Sequence, residues 1–261
     1  LINNTIMNSA GNYGEYLGIV EIEVTRGKVD LIHSQTISTK EIQEDPQVIS
    51  VLKVNKTKAV NVLSRPLYTL ENPLWHDVVE ENPISNLIAD GLKDMLKADI
   101  GLINSGICNA GIFHEMSRKK LIEICPSPLN PTLFEIQGKH IQEALQSSLD
   151  AQVCLAEGRG PGFRGRFVGR LHVSGLKIEH DGKHIKTIYL KEIPMEDEKW
   201  YLVASSDYLQ RGSGYPSLAI NQNETYWAEE IKDIIQIYGE KPEFIKSAYQ
   251  NRWMEVAKIR G

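Results

Sequence analysis

The stretch that decides the fold runs from residue 81 to residue 111 and reads ENPISNLIADGLKDMLKADIGLINSGICNAG. Asn82 can cap the first turn of a helix, and Pro83 suits the first helical position because its missing N–H costs nothing there. Apolar residues then recur along one helical face: Ile84, Leu87, Ile88, Leu92, Met95 and Leu96. The pattern predicts a capped amphipathic helix.

A short buried strand is predicted after this helix, over residues 99–103, and it ends at the turn Asn104-Ser-Gly106. Polar residues beyond the carboxyl end of a buried strand commonly contact ligands in α/β proteins. An ordinary helix–strand unit with a tight turn would give the same pattern, so spacing alone leaves both interpretations open.

The rest of the chain mixes helical and strand patterns. The predicted elements are a helix over 117–123, a strand over 132–137, a helix over 140–149, a hairpin with arms 170–179 and 183–190, a strand over 200–205, a helix over 226–238 and a last helix from Pro242. We therefore predict an α+β fold, with a mixed sheet, flanking helices and at least one antiparallel hairpin.

Three segments are expected along the chain. Residues 1–38 alternate as strands around an Arg26-Gly27 turn. Residues 39–65 look helical, and Asp45-Pro46 is expected to divide them into a short and a longer helix. Residues 66–261 form the main domain.

Several motifs resemble the C-terminal domain of the 5′-nucleotidase family, which includes UDP-sugar hydrolases and 2′,3′-cyclic phosphodiesterases. The matching stretches, in chain order, are SNLIADGL (85–92), ADIGLIN (98–104), SGICN (105–109), PSPLNPTLFEIQG (126–138), HVSGLKIEHD (172–181) and YLQRGSGY (208–215). SAGNYGEYLGIVEIEV (9–24) resembles the last strands of the family's catalytic domain. Each motif is weak alone, and their order and spacing together carry the resemblance.

The resemblance implies a division of labour. Residues 1–38 would be the terminal strands of a catalytic domain, residues 39–65 a helical connector, and residues 66–261 the substrate-binding domain. Catalysis in the family belongs to an N-terminal metallophosphoesterase domain that holds two divalent metals of the Mn or Zn type. The metal motifs of that domain do not occur here, so we expect this chain to be part of a longer protein, with no catalytic residue and no bound cofactor of its own.

The histidines do not suggest a metal site. They are scattered along the sequence, and no carboxylate–histidine spacing indicates a two-metal clamp. His180 and His184 flank Asp181-Gly182, which is a hairpin-turn dipeptide, so both are expected to be exposed turn residues rather than ligands.

The resemblance also implies a substrate site, in which two aromatic rings sandwich a base and arginines hold phosphate. In this sequence the family asparagine is kept as Asn104, and one stacking ring is kept as Tyr208. Three other positions are substituted. Asn109 stands where the family has an arginine, Ser127 where it has the second ring, and Ser213 where it has an acid. A further arginine position falls on Pro83. Tyr208 could equally be a core tyrosine.

A loop rich in glycine and arginine, EGRGPGFRGRFVGR (157–170), could replace the lost positive charge. Glycine allows backbone N–H groups to approach an anion, and arginine supplies charge, so Arg164 and Arg166 are candidate anion-binding residues. Arg211 is another candidate. A flexible, solvated surface loop is the alternative interpretation of the same residues.

Composition narrows the possible partners. The net charge of −5 gives no reason to expect nucleic acid, and no apolar run is long enough to span a membrane. Cys108, Cys125 and Cys154 lack metal spacing and are an odd number, which favours buried thiols and the cytosol; a cell-surface or secreted location stays open.

The expected function is substrate recognition within a metal-dependent phosphoesterase, inactive without the N-terminal catalytic domain. The expected partners are that domain and a small phosphate ester or nucleotide. A non-catalytic binding module with a degraded pocket is the alternative from another class. A UDP-sugar or cyclic-nucleotide substrate is an alternative within the enzyme class.

Overall fold

The computed structural model describes residues 5–11 and 13–256. The chain divides into two compact units, Leu1–Ala59 and Val60–Gly261. The first unit contains an antiparallel hairpin of β1 (Tyr16–Thr25) and β2 (Lys28–Ser38). Arg26 and Gly27 both have positive φ, +51° and +80°, as a tight two-residue hairpin turn requires. The predicted hairpin is confirmed.

Helix α1 (Pro46–Leu63) begins in the first unit and ends just beyond its boundary. The Asp45 carboxylate accepts hydrogen bonds from the backbone of Gln47 and Val48, so Asp45 caps the helix and Pro46 takes its first position. The expected division into two helices is wrong, because Asp-Pro here begins a helix instead of interrupting one.

The second unit contains the remaining elements. They are β3 (Pro66–Thr69), α2 (Pro83–Leu96), β4 (Ile100–Asn104), β5 (Glu115–Ser117), α3 (Arg118–Ile124), β6 (Pro131–Gln137), α4 (Gly138–Ser147), α5 (Ala151–Cys154), β7 (Leu171–Ser174), β8 (Leu176–His180), β9 (Ile185–Leu190), β10 (Ile193–Pro194), β11 (Trp200–Ser206), α6 (Asp207–Gln210), β12 (Asn221–Tyr226), α7 (Ile231–Tyr238), α8 (Pro242–Ala248) and β13 (Trp253–Glu255).

A five-stranded mixed sheet, in the order β12-β6-β11-β4-β7, forms the centre of this unit. A four-stranded sheet, β10-β9-β8-β13, and the pair β3-β5 complete the strand pairing. Helix α2 packs against β4, β7, α7 and α8, which places its apolar face in the core. The predicted α+β class with a mixed sheet is confirmed.

The deciding stretch folds as its sequence predicts. The Asn82 side chain accepts a hydrogen bond from the Ser85 N–H at 3.2 Å, and Pro83 is the first residue of α2. Strand β4 follows, buried at every residue, between β11 and β7. Asn104 is the last residue of this strand.

Two predicted elements are wrong in detail. The arm 170–179 is two strands in different sheets, because Gly175 breaks it with a φ of +84°. The helix predicted over 226–238 starts only at Ile231: residues 221–226 pair with β6 instead, and Glu230 and Asp233 form a capping box that fixes the later start.

The two histidines beside the 181–182 turn differ from each other. His184 is exposed, as expected. His180 is 8% exposed and packs edge-on against Trp253, with ring centroids 5.9 Å apart. Its expected exposure is wrong, because β13 pairs with β8 and brings Trp253 over the ring.

The three cysteines are free and buried, as expected. The neighbouring Cys125 thiol and burial together raise the pKa of Cys108 well above its usual value, and burial raises the pKa of Cys154. Across residues 5–11 and 13–256, none of the helices combines the length and the apolar character needed to cross a membrane.

Candidate functional site at one edge of the five-stranded sheet

Strand pairing brings distant loops together. Strands β4 and β11 are parallel neighbours, with Ile100 opposite Val203, so their carboxyl ends lie at the same edge of the sheet. Strand β7 enters antiparallel at this edge, and β6 does the same on the other side of β11. Four loops therefore meet here, which we call the site edge: 105–109, 126–130, 157–170 and 207–215.

Asn104 lies at the site edge with a fully buried side chain. Its Nδ2 donates to the Val168 carbonyl oxygen at 2.6 Å, which ties it to the 157–170 loop. Its Oδ1 has no hydrogen-bond partner within the part of the chain that the structure describes. An unsatisfied buried acceptor costs about 1–3 kcal/mol, so this atom is held at an energetic disadvantage.

Tyr208 follows β11 at the same edge and is 1% exposed. Its ring is stacked on that of Phe163, with centroids 4.4 Å apart and planes inclined by 19°. Its hydroxyl faces the backbone of Arg159 without a hydrogen bond of normal geometry to any described residue. Burial raises the pKa of Tyr208. A ligand can reach this ring only if the loop that carries Phe163 moves.

The two serines that replace family residues lie beside the same loop. Ser127 is fully buried, and its Oγ accepts a hydrogen bond from the Arg164 N–H at 2.9 Å. The Ser213 N–H donates to the Tyr208 carbonyl oxygen at 3.2 Å, and its hydroxyl lies beside Gly160. Ser127 and Ser213 thus flank the loop that covers Tyr208.

The 157–170 loop packs closely against the 105–107 turn. A Cβ at Gly106 would lie 1.9 Å from the Phe167 carbonyl oxygen, and one at Gly165 would lie 2.0 Å from the Gly106 carbonyl oxygen. Only glycine permits such backbone-to-backbone contact at both positions. The loop therefore lies against Asn104 and does not project away from it.

The four remaining predicted residues are exposed. Arg164 donates from Nη1 to its neighbour's carbonyl at Phe163, and Arg166 lies over the Phe167 ring at 4.9 Å. Arg211 is paired with Asp207 at 2.6 Å, so its charge is already matched. Asn109 ends the 105–109 turn, where its N–H donates to the Ile124 carbonyl oxygen.

Sequence reasoning missed Phe163, the residue whose ring is stacked on that of Tyr208. The signal was present in GPGFRG, where an aromatic residue stands among glycines in the loop already selected for its arginines. An interpretation based on the charges of the loop does not single out this ring.

The described residues do not fit a metal. No group of three or more His, Cys, Asp and Glu side chains among them could hold an ion. The chemistry available at the site edge is stacking, amide hydrogen bonding and anion contact.

Three comparisons bear on identity. The family model of the 5′-nucleotidase C-terminal domain matches residues 59–219. An uncharacterized metallophosphoesterase of Bacillus subtilis, YunD, is 27% identical over 249 residues, which are 90% of this chain and 53% of that protein. The endonuclease YhcR of the same organism is 25% identical over 161 residues, which are 57% of this chain and 13% of YhcR.

The fold has solved counterparts. The crystal structure of a 5′-nucleotidase precursor from Thermus thermophilus superposes with a TM-score of 0.62 and 18% identity, over 96% of this chain and 52% of that one. This chain thus spans about half the length of YunD and of the Thermus protein. Because the family model covers most of the sequence, the chain belongs to the 5′-nucleotidase C-terminal domain family.

Proposed function

We propose that this chain is the substrate-recognition part of a metal-dependent phosphoesterase and that it binds a nucleotide or related phosphate ester at the site edge. The observation that carries the proposal is the meeting of Asn104 and Tyr208 at the carboxyl ends of two parallel neighbours, although they lie 104 positions apart in sequence. Ligands commonly bind at such strand ends in sheets with parallel pairs.

Each group has a chemical role in this proposal. The Tyr208 ring offers a flat face for a base, and the free Oδ1 of Asn104 offers an acceptor for a hydroxyl or amino group. The exposed guanidinium groups of Arg164 and Arg166 offer bidentate contacts to phosphate oxygens. A mononucleotide suits this site better than a nucleic acid, because the net charge of −5 disfavours a polyanion.

Hydrolysis itself is proposed to lie elsewhere, in an N-terminal catalytic domain that holds two divalent metals of the Mn or Zn type. The β1–β2 hairpin supports such a partner, since its exposed apolar side chains suit burial against another domain. These side chains are Leu17, Val20, Ile22, Val24, Val29, Leu31, Ile32 and Ile37.

Binding tests the proposal directly. We expect the chain to bind AMP or UMP in calorimetric titration, and Tyr208→Leu to weaken binding about tenfold, the effect of one stacked base. Tyr16→Leu is the matched control, because Tyr16 is an exposed tyrosine of strand β1, outside the site edge. Equal weakening by both variants, or no binding of either nucleotide by any of the proteins, would refute the assignment.

A second assay tests where the chemistry lies. The chain alone should hydrolyse no phosphate ester above background with added Mn²⁺ or Zn²⁺, because no described cluster can hold a metal. Metal-dependent turnover that survives controls for contaminating phosphatase would contradict the division of labour.

A non-catalytic binding module is the second candidate. It is favoured by the closed state of Tyr208, whose ring is covered, and by Asn109 and Pro83 at positions where the family pattern has arginine. The nucleotide titration separates the two, since a module with a lost pocket would bind neither AMP nor UMP.

A further inference from the structure

The tip of the glycine-arginine loop, residues 159–165, makes few hydrogen bonds to the rest of the described residues, although it covers the buried Tyr208 side chain. Within the described residues, one hydrogen bond leaves the tip for a residue outside the loop, from the Arg164 N–H to Ser127 Oγ. Two packing contacts add to it: the Phe163 ring is stacked on that of Tyr208, and the Gly165 backbone lies against that of Gly106. The loop arms, by contrast, bond to each other and to the body, through Gly158, Val168 and Gly169.

Two glycines give the tip an unusual backbone conformation. Gly160 and Gly162 have φ values of +151° and +80°, which side-chain-bearing residues rarely adopt. Both glycines lie within the tip, so rotation about their backbone bonds can move Phe163 while the arms keep their hydrogen bonds.

Two buried polar atoms at the site edge have no hydrogen-bond partner among the described residues: the Tyr208 hydroxyl, which lies beneath the tip, and Asn104 Oδ1, whose side chain is tied to the loop arm at Val168. A purely structural core would be expected to satisfy such atoms. Their state indicates a surface that completes its hydrogen bonds with something other than the closed loop.

We propose that the tip is a displaceable plug and that Phe163 occupies, on the Tyr208 ring, the position that a flat heteroaromatic ring of the ligand takes when the tip swings out. This inference rests on the proposed function. The 4.4 Å centroid separation is that of a stacked pair, so a ligand ring and Phe163 compete for the same face.

The plug makes the free protein a weaker binder, because only the open fraction accepts ligand. Removing the Phe163 ring should therefore tighten binding of a ligand that stacks and leave unchanged a ligand that does not. This direction is opposite to that expected for an ordinary binding-site residue.

The test is titration of the whole chain with AMP, and with ribose 5-phosphate as the ligand that lacks a base. We expect Phe163→Ala to lower the dissociation constant for AMP about tenfold or more, and that for ribose 5-phosphate by less than about twofold. Phe113→Ala, a change at an exposed aromatic residue outside the four site-edge loops, is the matched control and should leave AMP affinity unchanged.

A second variant tests the same proposal if Phe163→Ala does not fold. Ser127→Ala keeps Phe163 and removes only the hydrogen bond to the Arg164 N–H, so AMP should bind about fivefold more tightly. In the wild-type chain, AMP should speed hydrogen exchange at the amides of residues 159–165.

The outcomes separate this inference from the proposed function. If Phe163→Ala binds AMP as the wild type does, or more weakly, the plug is refuted while nucleotide binding stands. If AMP slows exchange of the tip amides, the loop closes over ligand and the plug is again refuted. If neither the wild type nor Phe163→Ala binds AMP or UMP, the proposed function fails and the plug with it.

Discussion

Two buried polar regions of the second unit differ in how fully their hydrogen bonds are made. The first is the site edge, where Asn104 Oδ1 and the Tyr208 hydroxyl have no hydrogen-bond partner among the described residues. The second, which we call the C-terminal network, joins α2 and β7 to the segment after α8 through Glu81, Asn86, Asp90, His172, Ser174 and Arg252. Within the described residues, none of the fully buried side-chain atoms of this network lacks a partner. Equally buried side chains thus differ in hydrogen bonding between the two regions: those of the network are paired, and two at the site edge keep an unpaired atom among the described residues.

Arg252 is the centre of the C-terminal network. Its guanidinium group donates to Asp90 at 2.6 Å and to the carbonyl oxygens of Val173, Asn86 and Ser247. Because Arg252→Met would leave the Asp90 charge buried and unpaired, we expect it to lower the free energy of unfolding by about 3–5 kcal/mol. Urea denaturation measures this loss.

The control for this largest effect is Lys139→Met, which removes an exposed ion pair with Glu198. It should change the free energy of unfolding by less than about 1 kcal/mol. Similar losses in the two variants would mean that the network contributes no more than a surface pair does.

Two buried asparagines, one in each region, allow a direct comparison of hydrogen bonding. Asn86 uses both ends of its amide, with Nδ2 on Glu81 and the Ala248 carbonyl oxygen and Oδ1 on His172. Toward the described residues, Asn104 forms side-chain hydrogen bonds through Nδ2 and none through Oδ1. Asn86→Leu leaves several buried groups without their hydrogen-bond partner. Asn104→Leu leaves one such group, the Val168 carbonyl oxygen, and also removes an unsatisfied acceptor.

We therefore expect Asn86→Leu to destabilise the fold by about 2 kcal/mol more than Asn104→Leu, as measured by urea denaturation. Equal losses would contradict the view that the site edge is held at an energetic disadvantage.

The pH dependence of stability tests the network through His172. Its Nδ1 donates to Asn86 Oδ1, and its Nε2 accepts from Asn82 Nδ2, so a second proton would face a donor. Burial, together with Arg170 and Arg252, lowers the pKa of His172 well below its usual value of 6.5.

Below about pH 6.5, His172 therefore binds a proton in the unfolded chain and does not bind one in the folded chain. The free energy of unfolding should be unaffected by His172 above that pH and should fall below it, by up to about 1.4 kcal/mol per pH unit. His172→Gln should flatten this fall between about pH 6.5 and 5, whereas His184→Gln, at an exposed position, should not. Parallel slopes in the wild type and His172→Gln would exclude this histidine as the cause.

The sequence predicts local structure well where one physical pattern dominates. The cap at Asn82, the helix face of α2 and the turn at Arg26-Gly27 follow from spacing and turn chemistry. The errors arise where tertiary pairing decides. Gly175 was predicted as an interior strand residue. Tyr226 was predicted as the first residue of a helix, whereas it ends β12 and pairs with β6.

The sequence predicted which distant residues lie near one another, and it did not predict that the loop covers Tyr208. Motif order placed Asn104, Ser127 and Tyr208 in one region, and the parallel pairing of β4 and β11 does bring the first and last of these to one edge. That the loop covers Tyr208 depends on the glycine contacts at Gly106 and Gly165, which no residue pattern encodes.

The smallest expected effect on stability comes from the exposed arginines of the loop. The guanidinium group of Arg164 contacts only a neighbouring carbonyl among the described residues, and that of Arg166 lies over an adjacent ring. The double variant Arg164→Ala/Arg166→Ala should change the free energy of unfolding by no more than about 1 kcal/mol, because surface substitutions rarely exceed about 0.5 kcal/mol each. Binding of inorganic phosphate should nevertheless weaken about tenfold, since a charge-assisted hydrogen bond is worth about 1.5–3 kcal/mol. Arg118→Ala/Lys119→Ala removes the same charge from α3 and should leave phosphate affinity unchanged. If the two double variants weaken phosphate binding equally, the loop acts only through net charge. That result would refute a specific anion contact at the site edge.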